Sequence, residues 1–85
     1  MENAELERTV IHVLSTELNI PSSEKLLAST ALRDDLGLDS MSTLTFLMAL
    51  EDSIEGFLID ANTLEATDVE TIGSVVRYIE RQLNA

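Results

Sequence analysis

The chain has 85 residues, 45% of them hydrophobic, and a formal net charge of −11 from 16 Asp and Glu against 5 Lys and Arg. That is too apolar for a disordered acidic tail, and the length predicts one folded domain over residues 1–85 with a thin core, burying about two-thirds of its unfolded surface. Five cations cannot neutralise many phosphates, so the balance argues against nucleic acid and against anionic membrane surfaces, and for protein partners with basic docking faces. There is no cysteine, hence no disulfide and no thiolate metal site. Met1 is followed by Glu2, Asn3 and Glu5 rather than by a basic and then an apolar run, and no stretch is apolar for long enough to span a bilayer. A cytoplasmic monomer without membrane insertion is expected.

Leu6, Val10, Val13, Leu14 and Leu18 recur at spacings of three and four, which predicts an amphipathic helix from about Ala4 to Leu18. Ile20-Pro21-Ser22-Ser23 should end it, because proline disfavours helix in the residue before it. Residues 22 to 39 then read as a long connection pinned by Leu26, Leu27, Leu32 and Leu36. Asp39 is a good N-cap for a second helix, about Ser40 to Glu55, with Gly56 as its stop. Phe57-Leu58-Ile59 is a short apolar connector, and one or two helical turns are expected over Ala61 to Ala66. Thr71 should cap a last helix whose stripe is Ile72, Val75, Val76, Ile79 and Leu83. The fold class is all-α: three main helices, one short helix and a long first loop.

The second helix has two apolar arcs. With Ser40 at zero and ~100° per residue, Phe46, Leu47, Leu50 and Ile54 fall between roughly 240° and 340°, whereas Met41, Leu44 and Met48 fall at roughly 40° to 100°. Glu51, Asp52 and Glu55 lie on or beside the second arc, and Ser40 lies between the two. One reading buries both arcs, since small domains pack long loops against helices. The other leaves Met41, Leu44 and Met48 as a docking strip with adaptable methionines, edged by steering carboxylates.

Ser40 can be a cap, a nucleophile or an attachment point. Asp39 already supplies a cap. A nucleophile needs a base, and the single histidine, His12, lies in the first helix. The Gly-x-Ser-x-Gly elbow lacks its second glycine and its strand. No catalytic residue is assigned. Asp34, Asp35 and Asp39 cluster without calcium-loop spacing, so no metal site is assigned either. A modification site fits best, because a phosphoester on Ser40 would meet the positive end of a helix.

Asp35-Leu36-Gly37-Leu38-Asp39-Ser40-Met41 resembles the phosphopantetheine attachment motif of acyl carrier proteins. Leu47-Met48-Ala49-Leu50-Glu51-Asp52 is similar to that family's second helix, Thr71-Ile72 through Val75-Val76 and Tyr78-Ile79 to its last, and Leu32 to its loop anchor. The resemblance implies a four-helix bundle with 4′-phosphopantetheine on Ser40, preceded by Asp39, installed from coenzyme A by a phosphopantetheinyl transferase with magnesium. Acyl, aminoacyl or ketide groups would ride on it as thioesters. Met41, Leu44, Met48, Glu51 and Asp52 match the family's partner-contact positions. Partners would be a loading ligase or acyltransferase and downstream synthases or transferases, and Thr43, Phe46, Leu47 and Ile79 would form a cleft for cargo.

Ser42, Thr43 and Thr45 stand where fatty-acid carriers place acids, and Phe57 and Ile59 stand where they often show a polar residue and a proline. These departures point toward polyketide, nonribosomal or other specialised assembly. A fatty-acid carrier, a D-alanyl carrier and, in a different class, an unmodified acidic helical interaction module are the alternatives.

Overall fold

A computed structural model describes residues 3–18, 26–60 and 62–84. Its elements are α1 (Asn3–Glu17), α2 (Ser40–Ser53), a 3-10 turn (Ala66–Val69) and α3 (Ile72–Leu83). The protein is all-α, a bundle whose fourth member is one tight turn, and α1 packs on both α2 and α3.

The helical stripes read from the sequence face inward. Leu6, Val10, Val13 and Leu14 of α1 meet Phe46, Leu47 and Leu50 of α2 and Ile72, Val75, Val76 and Ile79 of α3 in one core, with Leu18 and Leu83 half-buried at its margin. Each fully buried aliphatic or aromatic side chain contributes about 1.5–3 kcal/mol. Phe57 closes the core edge-on against Tyr78, ring centroids 6.1 Å apart. Thr71 caps α3 as expected: its Oγ1 accepts the Ser74 N–H at 3.0 Å, and Ser74 Oγ accepts the Thr71 N–H at 2.9 Å.

Some boundaries differ from expectation. The helix stop at Ile20-Pro21-Ser22-Ser23 lies outside the described residues. α2 ends at Ser53, two residues before Glu55; the Ile54 N–H still reaches Leu50 O, but Ile54 itself is extended. Leu27 is not a core pin. It is exposed, and the hold comes from its backbone, whose N–H donates to Thr30 Oγ1 while its carbonyl accepts the Thr30 N–H.

The short helix forms at Ala66–Val69, later than the expected 61–66, of which Ala61 is outside the described residues. Asp60 is the cause. Its carbonyl accepts the N–H groups of Thr63 and Leu64, and its Oδ1 accepts that of Asn62, so this stretch is spent on a turn. Helical backbone starts only past Glu65, whose N–H donates to Asp68 Oδ2 at 2.9 Å. Asp68 is buried and pairs with Arg81 of α3 at 2.6 Å. Burial pushes its carboxyl up, but the Glu65 N–H and the Arg81 guanidinium outweigh that and leave it below the ordinary aspartate value.

Candidate functional site

The long first connection is a wall built from backbone. The N–H groups of Asp35 and Leu36 donate to Ala31 O, Gly37 to Arg33 O and Leu38 to Leu32 O, a single coil closed by Gly37 at φ +73°. A left-handed backbone favours glycine there. Asp35 holds the coil from outside, its Oδ2 accepting the Ala31 N–H at 2.7 Å.

Three further bonds tie this wall to the start of α3: Leu32 N–H to Glu70 O at 2.9 Å, Ile72 N–H to Thr30 O at 3.1 Å, and Gly73 N–H to Ala28 O at 2.8 Å. A Cβ on Gly73 would stand only 3.0 Å from Ala28 O, so the absence of a side chain permits this approach. The free N–H groups of Ile72 and Gly73 are thereby satisfied by the loop, and that of Ser74 by the Thr71 cap.

The wall delivers Ser40 as the first residue of α2. Asp39 is the N-cap; its Oδ1 accepts the Ser42 N–H at 2.8 Å and its carbonyl accepts the Thr43 N–H at 2.9 Å. The Ser42 backbone N–H, then the Ser42 hydroxyl, hold the Asp39 carboxyl below the ordinary range by stabilising its charged form. Ser40 is exposed, and among the described residues nothing hydrogen-bonds its hydroxyl.

Ser40 stands at the border of two surfaces. On one side lies a cleft of about 950 Å³ between the loop, α2 and the 64–71 stretch. Thr43 and Leu47 line it, as the sequence suggested, but Phe46 and Ile79 do not: both are fully buried in the core, and Leu38, Leu64 and Val69 take their place. Helical periodicity shows that a residue points inward; it does not show whether the inside there is core or cleft. Leu64 and Val69 carried no periodic signal because they flank a turn.

On the other side is the strip, which meets the cleft at Leu44, a residue of both surfaces. Met41, Leu44 and Met48 are 71%, 52% and 57% exposed, so the reading in which both arcs are core does not hold. Asp52 is exposed beside them. Glu51 is half-buried and turns inward, its Oε2 accepting the Ile59 N–H at 2.9 Å. With Tyr78 Oη, which accepts the Asp60 N–H, it fixes the connector after α2.

His12 is exposed on α1 and lines no part of the cleft. Asp35 and Asp39 are both spent on backbone donors, and among the described residues no three His, Cys, Asp or Glu side chains gather to hold a metal ion. No described helix is long and apolar enough to cross a membrane.

A helical bundle that offers an open, unpartnered hydroxyl where a cleft and an apolar strip meet is suited to holding a group. The family model described as "Phosphopantetheine attachment site" matches residues 8–79. Similar curated proteins are the acyl carrier proteins of Saccharopolyspora erythraea (34% identical over 76 residues, 89% of this chain and 76% of that protein), Wolinella succinogenes (38% over 68 residues, 80% and 84%) and Porphyromonas gingivalis (30% over 80 residues, 94% and 97%). The chain belongs to the acyl carrier protein family, and its cofactor is covalently attached 4′-phosphopantetheine. The residues present fit that group: the hydroxyl is open, and a largely apolar cleft begins beside it.

Proposed function

We propose that Ser40 Oγ is the attachment atom, and that this chain carries acyl, aminoacyl or ketide groups between enzymes of a polyketide, nonribosomal or other specialised assembly pathway. The single observation that supports it most is the placement of an exposed, unpartnered Ser40 hydroxyl on a capped helix, where cleft and strip meet. The bound arm supplies a terminal thiol for thioester chemistry. The chain's own part is to fix the tether point, present partner contacts and offer shelter for cargo.

Asp39 holds the first turn of α2 so that Ser40 keeps one orientation. Met41, Leu44 and Met48 form the contact strip for a phosphopantetheinyl transferase, a loading ligase or acyltransferase, and downstream synthases. Asp52 and the overall charge of −11 steer their basic faces. Glu51 contributes through the connector it holds as well as through its charge. The specialised pathway, rather than housekeeping fatty-acid synthesis, is supported by a first turn of α2 without acids and by Phe57 and Ile59 standing where fatty-acid carriers often show a polar residue and a proline.

The test is incubation with a broad-specificity phosphopantetheinyl transferase and coenzyme A, read by intact mass. Wild type should gain one arm and Ser40→Ala none. A wild type that gains nothing is an interaction module instead; a Ser40→Ala protein that still gains mass has its attachment elsewhere. Loading the arm with malonyl-, aminoacyl- and D-alanyl-transferring enzymes in parallel identifies the cargo class.

A further inference from the structure

Among the described residues, Arg33 is the one cation lining the cleft beside Ser40. Its backbone sits in the coil that delivers the serine: Arg33 O accepts the Gly37 N–H, and the next bond, Leu38 N–H to Leu32 O, closes the coil two residues before Ser40. Its side chain is exposed, and among the described residues no carboxylate holds it in an ion pair; the pair present there is Arg81 with Asp68. Two acids near it in sequence are already committed, Asp35 to the Ala31 N–H and Asp39 to the Ser42 N–H. An open guanidinium thus shares a cleft with an open hydroxyl.

The surroundings make that cation consequential. Asp34, Asp39 and Glu70 also line the cleft, on a chain of net charge −11. A phosphodiester joined to Ser40 Oγ brings one more negative charge among them, and without a counter-charge it is driven toward solvent. A guanidinium offers paired N–H donors in a plane that match two non-ester oxygens of such a group, which a lysine ammonium cannot reproduce.

We infer that Arg33 is a positioning residue that seats the phosphodiester at the root of the arm, holding that root over the cleft mouth. The inference rests on Ser40 being the attachment residue. The pair is solvent-exposed, so it should raise the seated fraction by roughly two- to fivefold, and salt should erase the gain.

The experiment uses the full chain bearing the arm, with attachment first verified by intact mass, and compares wild type, Arg33→Gln and Arg33→Lys. In wild type the Arg33 Nε–H resonance should move when the arm is attached, a reading that needs no variant. The phosphorus-31 resonance should move with added sodium chloride in wild type, should already sit at the high-salt position in Arg33→Gln, and should lie between in Arg33→Lys. Protein that carries the arm by mass yet shows an unmoved Arg33 Nε–H, or a phosphorus line unchanged by Arg33→Gln with helical content intact, overturns the seat while leaving the attachment standing. Absence of any mass gain removes the attachment and the seat together.

Discussion

Replacing Leu50 and Leu44 by alanine, one at a time, separates the two faces of α2. Leu50 is fully buried, and truncating such a leucine costs about 2–5 kcal/mol through lost transfer and an unfilled cavity. At roughly 0.05–0.15 kcal/mol per residue the whole domain has about 4–13 kcal/mol to lose, so this one change removes a large share. Leu44 is 52% exposed in the native state, so truncation forfeits at most about half of a leucine's transfer gain, about 1.5 kcal/mol as an upper bound, and leaves no enclosed cavity. Alanine keeps the helix propensity.

Urea unfolding followed by circular dichroism at 222 nm reads the difference. With a slope near 1 kcal/mol per molar for a small domain, Leu50→Ala should lower the midpoint by about 2 M or more and Leu44→Ala by about 1.5 M at most. The rate of arm transfer to Ser40 should show the reverse ranking, measured where both proteins are folded: Leu44→Ala slowed, Leu44→Arg and Met48→Glu slowed further, helical content unchanged. If Leu44→Ala loses as much stability as Leu50→Ala, the strip is core and the reasoning from exposure is wrong.

Asp39 and Asp68 both have carboxyls lowered by the folded state, so each contributes stability above the unfolded value that is lost as pH falls through the folded one. Tm should therefore hold steady from pH 8 to 5 and drop below about pH 4; Asp39→Asn, which keeps the cap, should flatten part of that drop, and an unchanged Tm–pH curve would count against it. Gly37→Ala meets no atom within 4 Å but must adopt φ near +73°, so thermal unfolding should register a loss of about 1–2 kcal/mol from backbone strain alone, with a smaller loss for Gly37→Asn. Glu51→Ala removes the acceptor of the Ile59 N–H, and amide exchange by NMR should speed up at Ile59 by roughly tenfold, the equivalent of about 1.4 kcal/mol, while Asp60, held by Tyr78, keeps its protection.

The fold's main elements are legible because their signals are local. Spacings of three and four in α1 and α3, and the Asp39 and Thr71 caps, depend on residues within a turn or two of each other. The separation of Phe46, Leu47 and Leu50 from Met41, Leu44 and Met48 is angle arithmetic on one helix, and burial agrees with it. What was not legible depends on contacts between distant segments. Glu51 sits on the strip's arc by angle, yet the N–H of a residue eight positions later draws its carboxylate inward. Asp60 diverts the short helix with its own carbonyl, and Asp68 takes its partner from α3. Arg33 carried no motif; its significance comes from the coil that places it in the same cleft as Ser40. Glu65 and Asp68, a capping pair three apart, were the readable sign of where the 3-10 turn begins.

The bonds from Ala28, Thr30 and Leu32 to Gly73, Ile72 and Glu70 join opposite halves of the chain. Such non-local closure comes late in folding, because the intervening chain must be ordered first. The loop that presents Ser40 therefore has nothing to close against until the chain through Gly73 is present and folded. An enzyme that recognises the folded loop is thereby kept from acting on unfinished chains: a copy cut short before α3 has the serine but not its setting.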